Sequence, residues 1–418
     1  MLLKETIRSV VKSQKSELSR FGCGTKRERL GQIDLSAPFA SVISGIRRCG
    51  KSTLLRQLMK GTKNFYYLNF EDPRLSGFES TDFQKLDEVF SEEFGDSNQY
   101  FFDEIQNAPK WELFVRGGLD KKKRFAITGS NASLLSRELG TRLTGRHLTC
   151  ELFPFSFAEF LKFSGKAPGQ GSFEEYLEKG GFPEYLKYRK AEILQELLND
   201  IIARDIIVRH GLKSQKTVKE LALFLLSNAG KEFSYNGIKK TFNLGSANTA
   251  IAFISYFEDS YILFTVPRFD YSQKKQVASP KKIYAIDNGL AGANSVSFSA
   301  DKGRMLENAV FLQLRRNGKN IFYFRQKGEC DFLVKEKEKI TGAIQVCHEI
   351  TEDNKERETA GLMEAMEKFK LAEGLILTLG QKDTLKIKGR KITVKPAWEW
   401  MSKYSAASKR WRAKSSRG

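Results

Sequence analysis

One segment constrains the fold more than any other. An apolar run, FASVIS, leads directly into Gly45-Ile46-Arg47-Arg48-Cys49-Gly50-Lys51-Ser52 and then into the helix-forming TLLRQLMK. The spacing is G-x-x-x-x-G-K-[ST] with each fixed position occupied, set between a strand and a helix. Gly45 and Gly50 permit a tight turn whose backbone N–H groups, those of Arg47, Arg48 and Cys49 among them, face inward. The helix that starts around Lys51, Ser52 and Thr53 would aim its positive end at the same point. Lys51 would reach the β- and γ-phosphates of ATP, and Ser52 would hold Mg2+. Chance occurrence in a glycine-containing turn is the competing reading, and the strand and helix on either side argue against it.

Phosphate chemistry needs a second metal-binding group and a base. Gln99-Tyr100-Phe101-Phe102 reads as a strand ending in Asp103-Glu104. Asp103 would bind Mg2+ through water, and Glu104 would polarise the attacking water. An Asp-Glu pair alone is a common surface feature; after an apolar strand and downstream of a phosphate loop it points to hydrolysis. The next strand, RFAIT, runs into Gly129-Ser130-Asn131. Ser130 or Asn131 would sense the γ-phosphate there, or would simply cap the helix ASLLSREL. Arg142 and Arg146 follow, and Arg146 is the better candidate to neutralise transition-state charge, within its own chain or in a neighbour. A surface or structural arginine is the bland alternative.

From 39 to 152 the short apolar runs FASVIS, NFYYLNF, NQYFF, RFAIT and HLTCELF alternate with stretches of helical spacing. That rhythm implies a parallel sheet covered on both faces. Residues 1–30 read as a basic amphipathic helix with Leu3, Ile7, Val10 and Val11 on one face, docked on the core or on a neighbour. Pro154 ends the alternation, and 155–212 read as helices interrupted by Gly180-Gly181-Phe182-Pro183.

The 418 residues carry 70 Lys plus Arg against 50 Asp plus Glu, a net charge of +20, which favours polyanionic partners. With 40% hydrophobic and 29% charged residues the chain reads as globular rather than disordered. No apolar run approaches the roughly 18–20 residues of a membrane helix, and the N-terminus lacks a signal-peptide stretch. No membrane partner is expected, and the cytoplasm is the default compartment. Five cysteines without a CxxC spacing and three histidines argue against a disulfide framework, a zinc module or a His-rich metal site.

Several blocks now fall into an order: GIRRCGKS, YYLNFEDPRL, FFDEIQNAPKWELFVRGGLD, AITGSNASLLSRELGTRLTGR, LFPFSFAEFL, YLEKGGFPEYL, LNDIIARDI, RMLENAVFLQLRR, GECDFLV and QVCHEI. In this the chain resembles bacterial and archaeal AAA-type ATP-binding proteins that carry a C-terminal domain of unknown function. The resemblance covers all but the two ends. It implies an AAA-like core with a helical lid, in which the Gly180–Pro183 turn lies near the adenine and Pro183 touches the base. A plain Gly-Pro loop between two helices is the alternative. The block Phe70-Glu71-Asp72-Pro73-Arg74 matches the family without a chemical role, beyond Arg74 pairing with Asp72 or a neighbour.

The C-terminal half reads as two further parts. Residues 217–286 have the size and pattern of a winged helix: TVKELALFLLSN, SYNGIKKTF and Ala247–Asp259 as helices, VPRFDYSQKKQVASPKKIY as the wing. Residues 213–282 hold eleven basic and five acidic residues, an excess suited to phosphate contacts, although the third helix offers few base-reading side chains. A packing domain is the competing reading. Residues 304–398 run helix, strand, strand, strand, helix, as in a restriction-endonuclease-like fold. Glu307 on the helix and Glu329 and Asp331 on one strand face would converge on Mg2+. The next strand should then offer an acid and a lysine two apart. It holds Gln345-Val346-Cys347: Gln345 still offers a neutral oxygen, Cys347 cannot replace an ammonium, and Lys335 is a poor substitute. A degenerate nuclease fold is therefore favoured over an active one.

The expected organisation is an N-terminal helix (1–30), a P-loop ATPase core (31–153), a helical lid (154–212), a winged-helix domain (213–300), a nuclease-like α/β domain (301–400) and a basic tail (401–418). The expected activity is a MgATP-hydrolysing switch coupled to nucleic acid, DNA more than RNA. The alternatives are an ATP-binding interaction protein with negligible hydrolysis and an ATP-controlled metal-dependent nuclease. Assembly into a homo-oligomer follows if an arginine acts in trans and does not if it acts in cis.

Overall fold

The computed structural model describes all residues except Ser19, Phe21, 131–142, Thr144 and 403–418. The chain divides into two compact units, Met1–Phe153 and Pro154–Gly418. No described helix is long and apolar enough to cross a membrane.

The first unit is built on five short strands: β1 (Ala40–Ser44), β2 (Tyr66–Asn69), β3 (Gln99–Asp103), β4 (Arg124–Gly129) and β5 (His147–Glu151). All pair in parallel, in the order β2-β3-β4-β1-β5. Helices α1 (Lys4–Leu18), α2 (Lys51–Met59), α3 (Asp82–Phe94) and α4 (Trp111–Asp120) accompany them. Every residue of β1 is buried, as a strand covered on both faces requires. The N-terminal helix is shorter than the sequence suggested: α1 ends at Leu18, and Leu3 is exposed. It docks on its own core, with Ile7, Val10 and Val11 packed into a cluster that includes Phe78, Phe83 and Leu86. Lys4 and Arg8 bind Glu88, Glu92 and Glu93 of α3.

The second unit opens with the helices α5 (Phe157–Ser164), α6 (Gln170–Lys179), α7 (Pro183–Tyr188) and α8 (Glu192–Asp200), the last continuing into a π-helical stretch to Val208. These helices, expected as a lid on the ATPase core, cluster with the C-terminal unit. Next come α9 (Gln215–Ser227), β6 (Glu232–Phe233), α10 (Tyr235–Thr241), α11 (Ala247–Asp259), β7 (Leu263–Pro267) and β8 (Lys281–Ala285), the strands forming an antiparallel sheet in the order β6-β8-β7; the segment expected as a wing holds a short helix, Gln273–Ala278, between β7 and β8. The remainder is α12 (Asn288–Asn294), a single helical turn (Val296–Ser299), α13 (Lys302–Arg316), β9 (Asn320–Arg325), β10 (Glu329–Glu336), β11 (Lys339–Val346), α14 (Lys355–Lys368), β12 (Glu373–Thr378), β13 (Asp383–Ile387) and β14 (Arg390–Pro396). Its six strands form a mixed sheet, β13-β14-β12-β11-β10-β9. The connection between β7 and β8 is anchored to this sheet: the Phe269 N–H donates to the Tyr323 carbonyl at 2.8 Å, and the Phe269 ring packs on Phe322 and Phe369.

The Gly180–Pro183 turn has a packing explanation inside this unit. The Gly181 N–H donates to Asp287 Oδ2 at 2.6 Å, and Asp287 also caps α12 through the Leu290 N–H at 3.0 Å. A Cβ at Gly181 would lie 2.2 Å from the Phe155 carbonyl oxygen. Asp287 is fully enclosed, and burial pushes its carboxyl up to about 6 against the pull of the N–H donors around it. Gly181→Ala should therefore destabilise the protein by at least about 2 kcal/mol in urea titrations. Gly171→Ala, on an open face of α6, should stabilise it by about 0.5–1 kcal/mol. Equal effects of the two substitutions would remove the packing argument.

Candidate functional site

The loop after β1 turns tightly because two glycines stand where a side chain would not. Gly45 has φ +153°, and a Cβ there would lie 2.0 Å from the Leu152 carbonyl oxygen; Gly50, at φ +100°, precedes α2. A buried arginine holds the loop from behind. Arg27 donates from Nη1 to the Cys49 carbonyl and from Nη2 to the Phe153 carbonyl, each at 2.6 Å. Gln57 of α2 fixes the segment bearing Arg27, accepting from the Arg27 N–H at 3.0 Å and donating to the Cys23 and Thr25 carbonyls. Cys49 is buried, and burial pushes its thiol above the ordinary range.

Lys51 is 4% exposed. Its Nζ donates to the carbonyls of Gly45 and Ile46 at 3.1 and 3.2 Å and lies 3.6 Å from Glu104 Oε1. Ser52 hydrogen bonds Asp103. The sheet order explains how the acids are held: β4 lies between β1 and β3, so its tip meets both. Thr128 of β4 donates its hydroxyl proton to Asp103 Oδ1 and accepts the Glu104 N–H at 3.0 Å. Burial pushes the Asp103 carboxyl up, and the Glu104 charge adds to this, against Thr128, Ser52 and Lys51. Glu104 has the opposite net shift. Burial would raise it, but Lys51, Gln106 and Arg47 together hold it below the usual carboxylate range.

Glu104 sits in the left-handed region at φ +49°, which turns the chain sharply out of β3. The short 3-10 turn Ile105–Asn107 then brings Gln106 back to the site. Gln106 Nε2 lies 2.5 Å from Glu104 Oε2 and 3.4 Å from Ser130 Oγ. Ser130 is 1% exposed, directly after the end of β4. Arg47 pairs with Glu71 at 3.6 Å, which connects the loop to the segment after β2; Asp72 there binds Arg74 and Gln14 of α1. A cavity of about 380 Å3 opens beside Ser52 and Asp103, with Arg56, Tyr67, Asn69 and Glu71 in its wall.

Other expected site residues lie elsewhere. Asn131 and Arg142 fall outside the described residues. Arg146 is half-exposed, binds Asp120, and gives its carbonyl to the Ala40 N–H at the start of β1. The phosphate loop follows the other end of that five-residue strand, roughly 16 Å away at about 3.3 Å per residue. The structure does not bring Arg146 to the loop within the chain. Pro183 is the first residue of α7 in the second unit, a position that suits its fixed φ. Thr53 lies in the first turn of α2, where Arg56 donates to its hydroxyl at 3.2 Å. Sequence reasoning missed Arg27, Thr128 and Gln106.

In the second unit the expected carboxylates do converge, but on an ammonium. Lys282 of β8, 2% exposed, places Nζ 2.8 Å from Asp331 Oδ1, 3.0 Å from Glu307 Oε1 and 2.7 Å from Glu329 Oε1. The Tyr284 hydroxyl donates to Glu307 at 2.7 Å, and the Val346 N–H to Asp331 Oδ2 at 2.9 Å. Burial and the Asp331 charge push Glu307 up to about 7, against Lys282 and Tyr284. Gln345 does not present a free oxygen: its Oε1 accepts the Asp331 N–H at 3.3 Å and its Nε2 donates to Glu358 at 3.0 Å. Cys347 is buried and its thiol is pushed up to about 12, while Lys335 pairs outward with Glu338. The ammonium at this point belongs to β8 and not to β11. Among the described residues no group of three or more His, Cys, Asp or Glu is arranged to hold a metal ion.

Residues 38–161 match an AAA domain family. Residues 170–300 and 302–400 match two domains of unknown function, DUF8612 and DUF4143. An uncharacterized protein of Methanocaldococcus jannaschii, MJ1544, is 37% identical over 408 residues, 89% of this chain and 90% of that protein. An uncharacterized protein of Haemophilus influenzae is 30% identical over 354 residues, 79% of this chain and 88% of that protein. Among solved structures, the Walker-type ATPase PABY2304 of Pyrococcus abyssi overlays with a TM-score of 0.40 at 14% identity, over 66% of this chain and 99% of that one. AMPPCP-bound DnaA from Aquifex aeolicus overlays with a TM-score of 0.27 at 14% identity, over 55% and 86%.

The Lys282 cluster makes a direct prediction. Lys282→Met leaves buried carboxylates without their cation, so unfolding in urea should become easier by about 3–5 kcal/mol. A loss below about 1 kcal/mol would mean that the cluster is not an ionic tie.

Proposed function

The chain belongs to the family of the Methanocaldococcus jannaschii and Haemophilus influenzae proteins, and from that premise we propose that it is a MgATP-hydrolysing switch whose second unit engages nucleic acid. The observation that carries the ATPase reading is the meeting of Lys51, Ser52, Asp103, Glu104 and Ser130 at the end of one parallel sheet. The residues fit MgATP. The two glycines allow the tight turn of the loop, whose N–H groups suit phosphate oxygens, and a buried ammonium lies beside it on the Gly45 and Ile46 carbonyls. In this reading Lys51 leaves the Gly45 and Ile46 carbonyls for the β- and γ-phosphates. Ser52 and Asp103 hold Mg2+, which offsets charge on the phosphate oxygens when bound. Glu104, held below the usual carboxylate range, is ionised at neutral pH as a general base must be. Ser130 senses the γ-phosphate.

The nucleic-acid reading rests on the second unit. The winged-helix reading takes α9, α10 and α11 as its helices and β7 and β8 as the wing strands, with a short helix, Gln273–Ala278, in the connection between them; exposed lysines stand on it, Lys239 and Lys240 at the end of α10 and Lys274 and Lys275 in that short helix. The third helix, α11, carries no Lys or Arg. Such a surface grips phosphates without reading bases, so binding is expected to be weakly sequence-selective. The nuclease alternative loses support because Lys282 occupies the point where the carboxylates converge.

Steady-state turnover with Mg2+, with and without duplex DNA, tests the first half. Lys51→Ala should abolish turnover, and Glu104→Gln should reduce it by roughly 10²–10⁴-fold. Unchanged turnover in Glu104→Gln would sink the mechanism. For the second half, DNA affinity should fall as salt rises. Replacing Lys239, Lys240, Lys274 and Lys275 together by Ala should flatten the slope of log K against log salt by up to about 3–4. A wild-type affinity indifferent to salt would overturn the nucleic-acid reading.

A further inference from the structure

Gln106 makes contacts that a turn residue does not need. It follows Glu104 by two residues, and the left-handed backbone at Glu104 folds its side chain back onto the site. The amide nitrogen meets Glu104 Oε2 at 2.5 Å and Ser130 Oγ at 3.4 Å; neither contact goes to the backbone of the 3-10 turn it belongs to. The carboxylate fixes the amide's orientation, because exchanging its oxygen and nitrogen would set oxygen against oxygen. Among the described residues the amide oxygen, Oε1, is then left buried without a hydrogen-bond partner. An acceptor in that state is costly to keep, and its retention asks for an explanation.

The neighbouring groups supply one. Glu104 is an acceptor when ionised, and Gln106 Oε1 is a second acceptor beside it. A water molecule has two protons to donate. Donating one to Glu104 and one to Gln106 Oε1, it is left with a lone pair for attack. We propose that Gln106 positions both the general base and the water of ATP hydrolysis: its Nε2 holds the Glu104 carboxylate in place, and its Oε1 accepts the water's second hydrogen bond. This rests on the hydrolytic reading above. In the step itself the water oxygen bonds to the γ-phosphorus as the bond from phosphorus to the bridging oxygen breaks. ADP leaves with that bonding pair, and the water's proton passes to Glu104 and then to the released phosphate. Gln106 exchanges no proton; it fixes where the water stands. The contact with Ser130 ties the same amide to the residue that senses the γ-phosphate, so base, water and sensor share one side chain.

Four full-length proteins test this: wild type, Gln106→Met, Glu104→Gln and the double variant. The readouts are single-turnover hydrolysis and binding of the non-hydrolysable β,γ-methylene ATP analogue by calorimetry. Gln106→Met should lower the hydrolysis rate about ten-fold or more, with the analogue's Kd within about two-fold of wild type. In the Glu104→Gln background the same substitution should cost less than about two-fold, because its partner is already gone. Gln106→Glu keeps the shape but reverses the contact with Glu104, and should lose rate in the same way if Gln106→Met does not fold. The proposal is overturned by a Gln106→Met rate within two-fold of wild type, by a rate loss matched by lost analogue affinity, or by losses that multiply in the double variant. Wild-type hydrolysis no faster than that of Lys51→Ala would remove the hydrolytic reading and this proposal with it, a failure distinct from the other three.

Discussion

The first unit depends on where one buried ammonium rests. Lys51 is almost wholly enclosed, yet two of its close partners are neutral carbonyls and the third, Glu104, stands 3.6 Å off. An enclosed charge needs acceptors, and these suffice to keep it in place. They do not bind it so tightly that it is unavailable. Phosphate oxygens carry more charge than two carbonyls and offer charge-assisted hydrogen bonds, so they can draw the ammonium away. Glu104 would then lose one partner while keeping Gln106. The same movement would thus free one oxygen of Glu104. Arg27 keeps the carbonyl side of the loop rigid through this exchange, because Cys49 and Phe153 are fastened to the same guanidinium.

The parallel order β2-β3-β4-β1-β5 gives this arrangement its accuracy. A strand between the phosphate-loop strand and the acid strand brings a third set of side chains to the site. Thr128 uses both its hydrogen and its oxygen there, on Asp103 and on the Glu104 N–H. The acid that would hold metal and the backbone of the acid that would take the proton are therefore tied to one hydroxyl. Ser130, two residues further along, meets Gln106 from the same strand tip.

Much of this was legible in the sequence, and the boundary has a physical cause. The phosphate loop, Asp103, Glu104 and the five strands are local patterns, and spacing along the chain specifies them. Thr128 was hidden because a threonine inside RFAIT carries only strand propensity; its role comes from the neighbour the sheet order provides. Gln106 had a faint signal, a polar residue held two positions after an acid that leaves a strand. Arg27 had none, since its partners lie 22 and 126 residues away. Arg146 does not reach the phosphate loop within its own chain, because closeness in sequence to the end of β4 does not say which edge of the sheet a segment occupies. Glu307, Glu329 and Asp331 do meet, but around Lys282, which lies on a strand of a different sheet and which no spacing along the chain connects to them.

Lys282 shows by contrast what a site looks like when its cation is not meant to move. It is as buried as Lys51, but its three partners are carboxylates at 2.7–3.0 Å. An ammonium has three protons, and here each has its own anionic acceptor. A divalent ion entering this point would have to expel a charge already compensated, while Asp331 and Gln345 are each committed to backbone N–H groups. Removing the ammonium strands the buried Glu307 and Asp331 without their cation, while Glu329, a third exposed, keeps Arg325. Two buried lysines on one chain thus divide by the company they keep. One is held by two neutral carbonyls and a single carboxylate 3.6 Å away, a looser hold that phosphate oxygens could replace; the other is held by three carboxylates and fastens β8 of the small sheet to α13 and to β10 of the large sheet.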